Sequence, residues 1–443
     1  MKYLIEGGKE LSGSIPVSGS KNAVLPILAA TIITGKKTIL HNCPDISDVR
    51  CTIDILKHLG YTVEQKGNTL TVDSACEGTP QVPPELMRKL RSSIIFLGAF
   101  INRFGSAQIS YPGGCELGKR PIDIHLSVLS QMGVLIQEDK THISCEAPVL
   151  KGGEYRLAFP SVGATENVMI AALIADSEVI VKNPAKEPEI VELQNFLNTA
   201  GANISGAGTD TICINPQRNF HDCEYTVRSD RIEAATYMLA AAATGSVLTL
   251  TNAPVRDLDK ITATLNEMGA YVISKEPTSL TVIPPKRLKP VNLIATMPHP
   301  GFPTDAQAIL MAALLKAEGS SMIVENIFEN RYNHVGEFLK MGADISVSKN
   351  TAKIKGVKEL VGTTVYAKDL RAGAALVIAA LSAKGTTLIH DVHHIARGYE
   401  NMIGKLQKVG ANAKVISVRE QNDMHSRQIL PSEPALQLLT QST

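Results

Sequence analysis

The sequence predicts an α/β protein built from six helix–strand repeats in two domains. Three observations carry this. A short motif, an apolar helix end followed by glycine and a strand, recurs six times. An apolar, Ala-rich helix followed by a break and a strand also recurs six times, roughly 25 residues upstream of each copy of the first. At 443 residues the chain is too long for one ordinary core, so two domains are expected.

The first motif reads LKHLGYTV at Gly60, LSQMGVLI at Gly133, LNTAGANI at Gly201, LNEMGAYV at Gly269, FLKMGADI at Gly342 and LQKVGANA at Gly410. The spacings between these glycines are 73, 68, 68, 73 and 68 residues. Glycine suits the left-handed residue that closes a helix. The residues after it alternate or branch at Cβ as a strand requires. The second motif includes ILAATIITGKKTIL, YMLAAAATGSVLTL and LVIAALSAKGTTLI, with breaks at Gly35, Gly105, Asp176, Gly245, Gly319 and Gly385. Its helices are apolar on most of their surface, which predicts that they lie buried.

Fourteen residues before these breaks stand Lys21, Arg91, Val162, Arg231, Asp305 and Arg371. About four turns of helix separate each from its break, which places it at a helix N-terminus. A helix N-terminus favours anions, so an aspartate fits there and four cations do not. Their recurrence suggests that several helix starts converge on a strongly anionic ligand.

Bulk composition excludes several classes. Basic and acidic residues balance at 44 and 43, which argues against a general nucleic-acid or membrane-surface binder. There is no tryptophan, so stacking platforms for single-stranded nucleic acid are not expected. The seven cysteines form no CxxC pair, and no HExxH or clustered Cys/His set appears, so no metal is implied. No GxGxxG fingerprint follows a strand, and no cofactor is expected. The N-terminus lacks an apolar signal core and the longest apolar run is too short to span a bilayer, so a reduced, cytoplasmic protein is expected.

One stretch stands apart: YPGGCELGKRP, residues 111–121. Neither helix nor strand tolerates Pro112, Gly113 and Gly114 in sequence. A lone thiol, Cys115, sits on this turn with Lys119 and Arg120 close behind. Neighbouring cations lower a thiol pKa, a setting that suits a reactive cysteine.

GSKNAVLPILAA (19–30), YPGGCELGKRPIDIH (111–125), FPTDAQA (302–308), ENIFENRYNHV (325–335), DLRAGAALVIAAL (369–381) and ARGYENMIGKL (396–406) resemble the enolpyruvyl transferases. The resemblance runs to about residue 417, and within the family it is to the branch built around a catalytic cysteine. It implies an inside-out α/β barrel fold with two domains of three repeats each and the active site between them. The implied domains are 21–228 and 1–20 plus 229–420, with 421–443 a polar, disordered tail outside the repeat. The implied substrates are phosphoenolpyruvate and UDP-N-acetylglucosamine. The enolpyruvyl group moves to the sugar 3-hydroxyl and phosphate is released, the first committed step of peptidoglycan synthesis.

The resemblance also implies roles. Cys115 is the proton donor to the methylene carbon and Asp305 the candidate base for the sugar hydroxyl. Lys21, Arg120, Arg331, Arg371 and Arg397 are the cations that would hold a phosphate and a carboxylate. Arg91, Arg120, Pro121, Ile122, Asp123 and Ile124 match nucleotide-sugar positions, as do Ser161, Val162 and Gly163, where backbone N–H groups serve a diphosphate in place of a cation. Asn22 and Ile327 are further matched contacts. Asp369 is read either as a helix cap or as a positioner of arginines. Arg231 belongs to the repeat pattern with a less direct role. Pro160 stands where the family often has lysine. Rival readings are the sister enzyme that uses shikimate 3-phosphate, a nucleotide-sugar binding protein that has lost catalysis, and a cysteine hydrolase using His125 or His299.

Overall fold

In a computed structural model of the protein the described residues are 1–90, 93–110 and 122–417. The apolar helices of the repeat span Lys21–Thr34, Phe96–Phe104, Val162–Ala171, Arg231–Thr244, Gln307–Leu314 and Leu370–Ser382. They are buried as expected; in the first, every residue from Ala23 to Thr34 is buried. A helix apolar on all sides has no stable place at a surface. Gly60, Gly133, Gly201, Gly269, Gly342 and Gly410 all have φ between 87° and 114°, a region that a Cβ disfavours.

Four of the six helix starts fall at or within one residue of the expected positions, while the helix expected from Arg91 begins at Phe96. Lys21, Val162 and Arg231 are first residues of their helices and Arg371 is a second residue. Asp305 differs: it lies in the 3₁₀ turn Thr304–Ala306 that leads into Gln307–Leu314. Three helices also end before the expected break, at Ala171, Leu314 and Ser382.

The strands form six sheets among the described residues, five of four strands and one of three. The four-stranded sheets share one order: an outer strand pairs in parallel with the strand after the buried helix, and two further strands add antiparallel. Lys37–His41, for example, pairs in parallel with Cys223–Thr226 and antiparallel with Thr69–Asp73. The chain ends are interleaved. Lys2–Glu6 lies between Thr386–His390 and Asn412–Ile416, antiparallel to both. Ser12–Pro16 pairs in parallel with Val247–Thr251.

Two hydrophobic cores result. One draws on residues from Ala23 to Val227, around the packed helices Lys21–Thr34, Phe96–Phe104 and Val162–Ala171. The other draws on Tyr3 to Val17 and Ile232 to Ala413, around the remaining three. The chain passes between them twice, side by side. Ser20 N–H donates to Arg228 O at 2.7 Å and Asp230 N–H to Ser18 O at 2.8 Å. Gly19 sits in this crossing with no room for a side chain, since a Cβ there would fall 1.7 Å from Asn42 O. No helix among the described residues is long and apolar enough to cross a membrane.

Candidate active site

A cleft of about 430 Å³ is lined by residues of both cores. Helix starts supply much of its wall, and side-chain caps make those starts. Ser20 Oγ accepts from Ala23 N–H at 3.3 Å and Ser161 Oγ from Ala164 N–H at 3.4 Å. Asp230 Oδ1 accepts from Ile232 and Glu233 N–H at 2.7 and 3.0 Å. Asp369 Oδ1 accepts from Arg371 and Ala372 N–H at 2.9 and 3.0 Å. Asp369 is therefore a helix cap, and the cap fixes the backbone that carries Arg371.

The cations at these starts oppose the helix dipole, and a carboxylate answers each described one. Lys21 Nζ lies 3.0 Å from Asp48 Oδ2. Arg231 makes a two-point pair with Glu189, at 3.0 and 3.2 Å. Arg371 donates from Nε and Nη2 to Asp305 Oδ2 at 3.2 and 2.8 Å. Arg331 Nη2 donates to the other oxygen, Asp305 Oδ1, at 3.0 Å and to Thr304 O at 3.1 Å. Arg397 joins Lys21 on Asp48, with Nε and Nη2 at 2.9 and 3.0 Å from its two oxygens. Sequence reasoning thus found the cations and missed the carboxylates Asp48 and Glu189, which carry no repeat-wide signal.

The pairs are not saturated. Arg331 Nε and Arg371 Nη1 are buried with no hydrogen-bond partner among the described residues. Buried donors are nearly always satisfied, so these point to an anionic ligand. Burial works to raise the Asp305 carboxyl, but the charges of Arg371 and Arg331, the hydrogen bond from Arg371 and the charge of Lys21 hold it well below the usual carboxylate range. Burial pulls Lys21 down; Asp48 raises it, and Arg397 and Arg371 lower it further.

Asn22, Ile122, Ile124, Ser161, Val162, Gly163, Asp305, Ile327, Arg331, Asp369, Arg371 and Arg397 all line the cleft beside Lys21. Asp123 does not: it is exposed in the first turn of the helix Asp123–Gln131. Pro26 also lines the cleft, and with no N–H it leaves the Asn22 carbonyl without its intrahelical donor. Ile327 is placed by Glu325, whose Oε1 accepts from the N–H groups of Ile327 and Phe328 at 2.9 and 3.1 Å. His125 is buried against Asn167 at 2.8 Å, under Gly163, where a Cβ would lie 2.9 Å from the imidazole. Arg91, Cys115, Lys119, Arg120 and Pro121 lie outside the described residues, as does the tail 421–443.

Fold and cleft together define a class: two-core α/β proteins that gather helix N-termini and cations on one cleft. A family model described as EPSP synthase (3-phosphoshikimate 1-carboxyvinyltransferase) matches residues 5–406. The chain belongs to that family, the enolpyruvyl transferases. It is 46% identical over 411 residues to UDP-N-acetylglucosamine 1-carboxyvinyltransferase 2 of Caldanaerobacter subterraneus subsp. tengcongensis, covering 93% of this chain and 98% of that protein. The enolpyruvyl transferase NikO from Streptomyces tendae superposes with a TM-score of 0.85 at 26% identity, covering 93% of this chain and 98% of that one. An EPSP synthase from Acinetobacter baumannii shares the fold, with a TM-score of 0.71 at 20% identity over 94% of this chain and all of that one, 100%.

Proposed function

We propose that this protein transfers the enolpyruvyl group of phosphoenolpyruvate to the 3-hydroxyl of UDP-N-acetylglucosamine and releases phosphate. The observation that carries the reading is the set of Lys21, Arg331, Arg371 and Arg397 lining one cleft, paired with Asp305 and Asp48. Phosphoenolpyruvate brings close to three negative charges and needs such a set. The nucleotide sugar is favoured as acceptor over shikimate 3-phosphate by the high identity to a relative named for that activity and by the cysteine-containing sequence YPGGCELGKRP at 111–121.

In this reading the architecture is an inside-out α/β barrel of six repeats. Its domains are 21–228 and 1–20 plus 229–420, a division supported by the two cores and the paired crossing at Gly19 and Ser229. The nucleotide lies along Ile122 and Ile124 and over the N–H groups at Ser161–Gly163, with Arg91, Arg120 and Pro121 completing its contacts. Asn22 and Ile327 hold the sugar.

The chemistry is an addition followed by an elimination. Cys115 gives a proton to the methylene carbon as the sugar oxygen bonds to the adjacent carbon. Asp305 takes the hydroxyl proton. As phosphate leaves, the new methyl group returns a proton and the double bond re-forms. Asp305 is a weak base while two arginines hold it. Substrate phosphate and carboxylate would draw those guanidinium groups toward themselves and raise its basicity where the hydroxyl is attacked.

Phosphate release is the test. Wild type and Cys115→Ala are each supplied with phosphoenolpyruvate and either UDP-N-acetylglucosamine or shikimate 3-phosphate. Release with the nucleotide sugar alone, lost in the variant, supports the reading. Release with the shikimate acceptor places the protein in the sister branch. Tight nucleotide-sugar binding without release makes it a binding protein.

A further inference from the structure

Beside Arg231 the cleft has an acidic wall, formed by Glu166, Glu187 and Glu189. Glu189 is occupied by Arg231, at 3.0 and 3.2 Å. Glu187 is half occupied: its Oε1 accepts from His299 N–H at 3.2 Å, while its Oε2 is buried without a partner among the described residues. Glu166 is 5% exposed and makes no hydrogen bond or ion pair among the described residues. It lies four residues after Val162 on the helix Val162–Ala171, so the two share a face, and both line the cleft.

Unlike Glu187 Oε2, the Glu166 carboxyl oxygens are not sealed off, so this mostly buried side chain opens onto the cleft. Burial, then the charges of Glu189 and Glu187, pushes its carboxyl well above the usual carboxylate range. The favoured form is the neutral acid, which both donates and accepts. An anionic ligand group would meet the charges of Glu187 and Glu189 here, and among the described residues the cation beside this wall, Arg231, is already neutralised by Glu189. The wall therefore suits an uncharged group with a hydrogen to donate and a lone pair to offer.

We propose that Glu166 binds a hydroxyl group of the acceptor, on its hexose or its ribose, and so helps to determine acceptor specificity. The inference rests on the proposed acceptor class. It separates the cleft into a cationic end for phosphate and carboxylate and a carboxyl wall for neutral hydroxyls.

Calorimetric titration of wild type, Glu166→Gln and Glu166→Leu with UDP-N-acetylglucosamine and with UDP, alongside thermal melts of the free proteins, is the test. Glu166→Leu should weaken nucleotide-sugar binding by about tenfold to a hundredfold, the scale of one lost buried hydrogen-bonding partner. Its KM for phosphoenolpyruvate should not change. Glu166→Gln keeps a donor and an acceptor and should stay within about threefold of wild type. Free Glu166→Leu should melt no lower than wild type, because the carboxyl has no partner to lose among the described residues; should it fail to fold, Glu166→Ala reads the same loss of affinity. Loss confined to the nucleotide sugar assigns the hydroxyl to the hexose; equal loss with UDP assigns it to the ribose. Unchanged nucleotide-sugar affinity in Glu166→Leu, with wild-type turnover intact, overturns this inference alone. A wild type that binds neither ligand overturns the functional reading with it.

Discussion

Asp48 and Arg397, 349 residues apart in the chain, meet in a two-point ion pair at 2.9 and 3.0 Å. Asp48 belongs to the helix Ser47–His58 beside the first core, and Arg397 to the turn Val392–Arg397 beside the second. Lys21 adds a third charge, 3.0 Å from the same carboxylate. One buried anion thus holds together two cations that would otherwise repel, at the place where the two cores face each other.

Replacement of Asp48 by Asn should therefore cost both stability and substrate binding. It leaves Lys21 and Arg397 buried without a counter-charge, a loss of about 3–5 kcal/mol by the usual cost of breaking a buried pair. Urea unfolding measures the first effect. The second should appear as a raised KM for phosphoenolpyruvate with the protein still folded at low temperature. An unchanged unfolding midpoint would show that the pair contributes nothing.

Acid should act through the same carboxylates. Burial raises Asp48, but Lys21 and Arg397 outweigh it and leave its pKa below the ordinary 3.8. Asp305 is depressed further, against burial, by Arg371 and Arg331. A depressed folded-state pKa means that the stabilisation is complete above the unfolded value and disappears as pH falls through the folded one. Their contribution to the urea midpoint should be complete from neutral pH to about 5 and decline below about 4, where unfolded carboxylates take up protons first. The Asp48→Asn protein should show a shallower decline over that window.

Asp305 separates two roles when changed to Asn. If it accepts the sugar proton, kcat should fall by about a hundredfold or more. Arg331 and Arg371 would also lose the carboxylate that orients them, so KM for phosphoenolpyruvate should rise as well, as in Asp48→Asn. A raised KM with kcat intact would assign Asp305 to binding.

Gly19 tests the crossing between the cores. Its Cβ position lies 1.7 Å from Asn42 O, a backbone atom that cannot rotate away. Gly19→Ala should destabilise the protein by about 3 kcal/mol or more, at the upper end of overpacking effects. The thermal midpoint would report it, and an unchanged midpoint would mean that the two crossing segments shift freely.

Much of this molecule is legible in one dimension. The repeat placed the buried helices and the glycines that follow the helix ends, because periodicity and left-handed backbone positions are local properties. It also placed Lys21, Arg231 and Arg371 at helix starts, to within one residue. Where it slipped, as at Asp305 in a 3₁₀ turn, a Pro-Thr-Asp entry had replaced the simple capped start. Asp123, assigned with its neighbours Ile122 and Ile124, turns to the exposed side of its helix, because adjacent residues on a helix point about 100° apart.

The sequence by itself determined the units: which apolar stretches are buried helix, which glycines follow the helix ends, and that Lys21, Arg231 and Arg371 stand at helix starts. The tertiary structure alone decided what those cations face. Asp48 answers Lys21 and Arg397, Glu189 answers Arg231, and Asp305 is shared by Arg331 and Arg371. Glu166 has no partner among the described residues and stands beside two other acids. The physical reason is range. Helix and turn preferences act over a few residues, whereas a buried charge is balanced by whatever the packing of distant segments brings within about 4 Å of it.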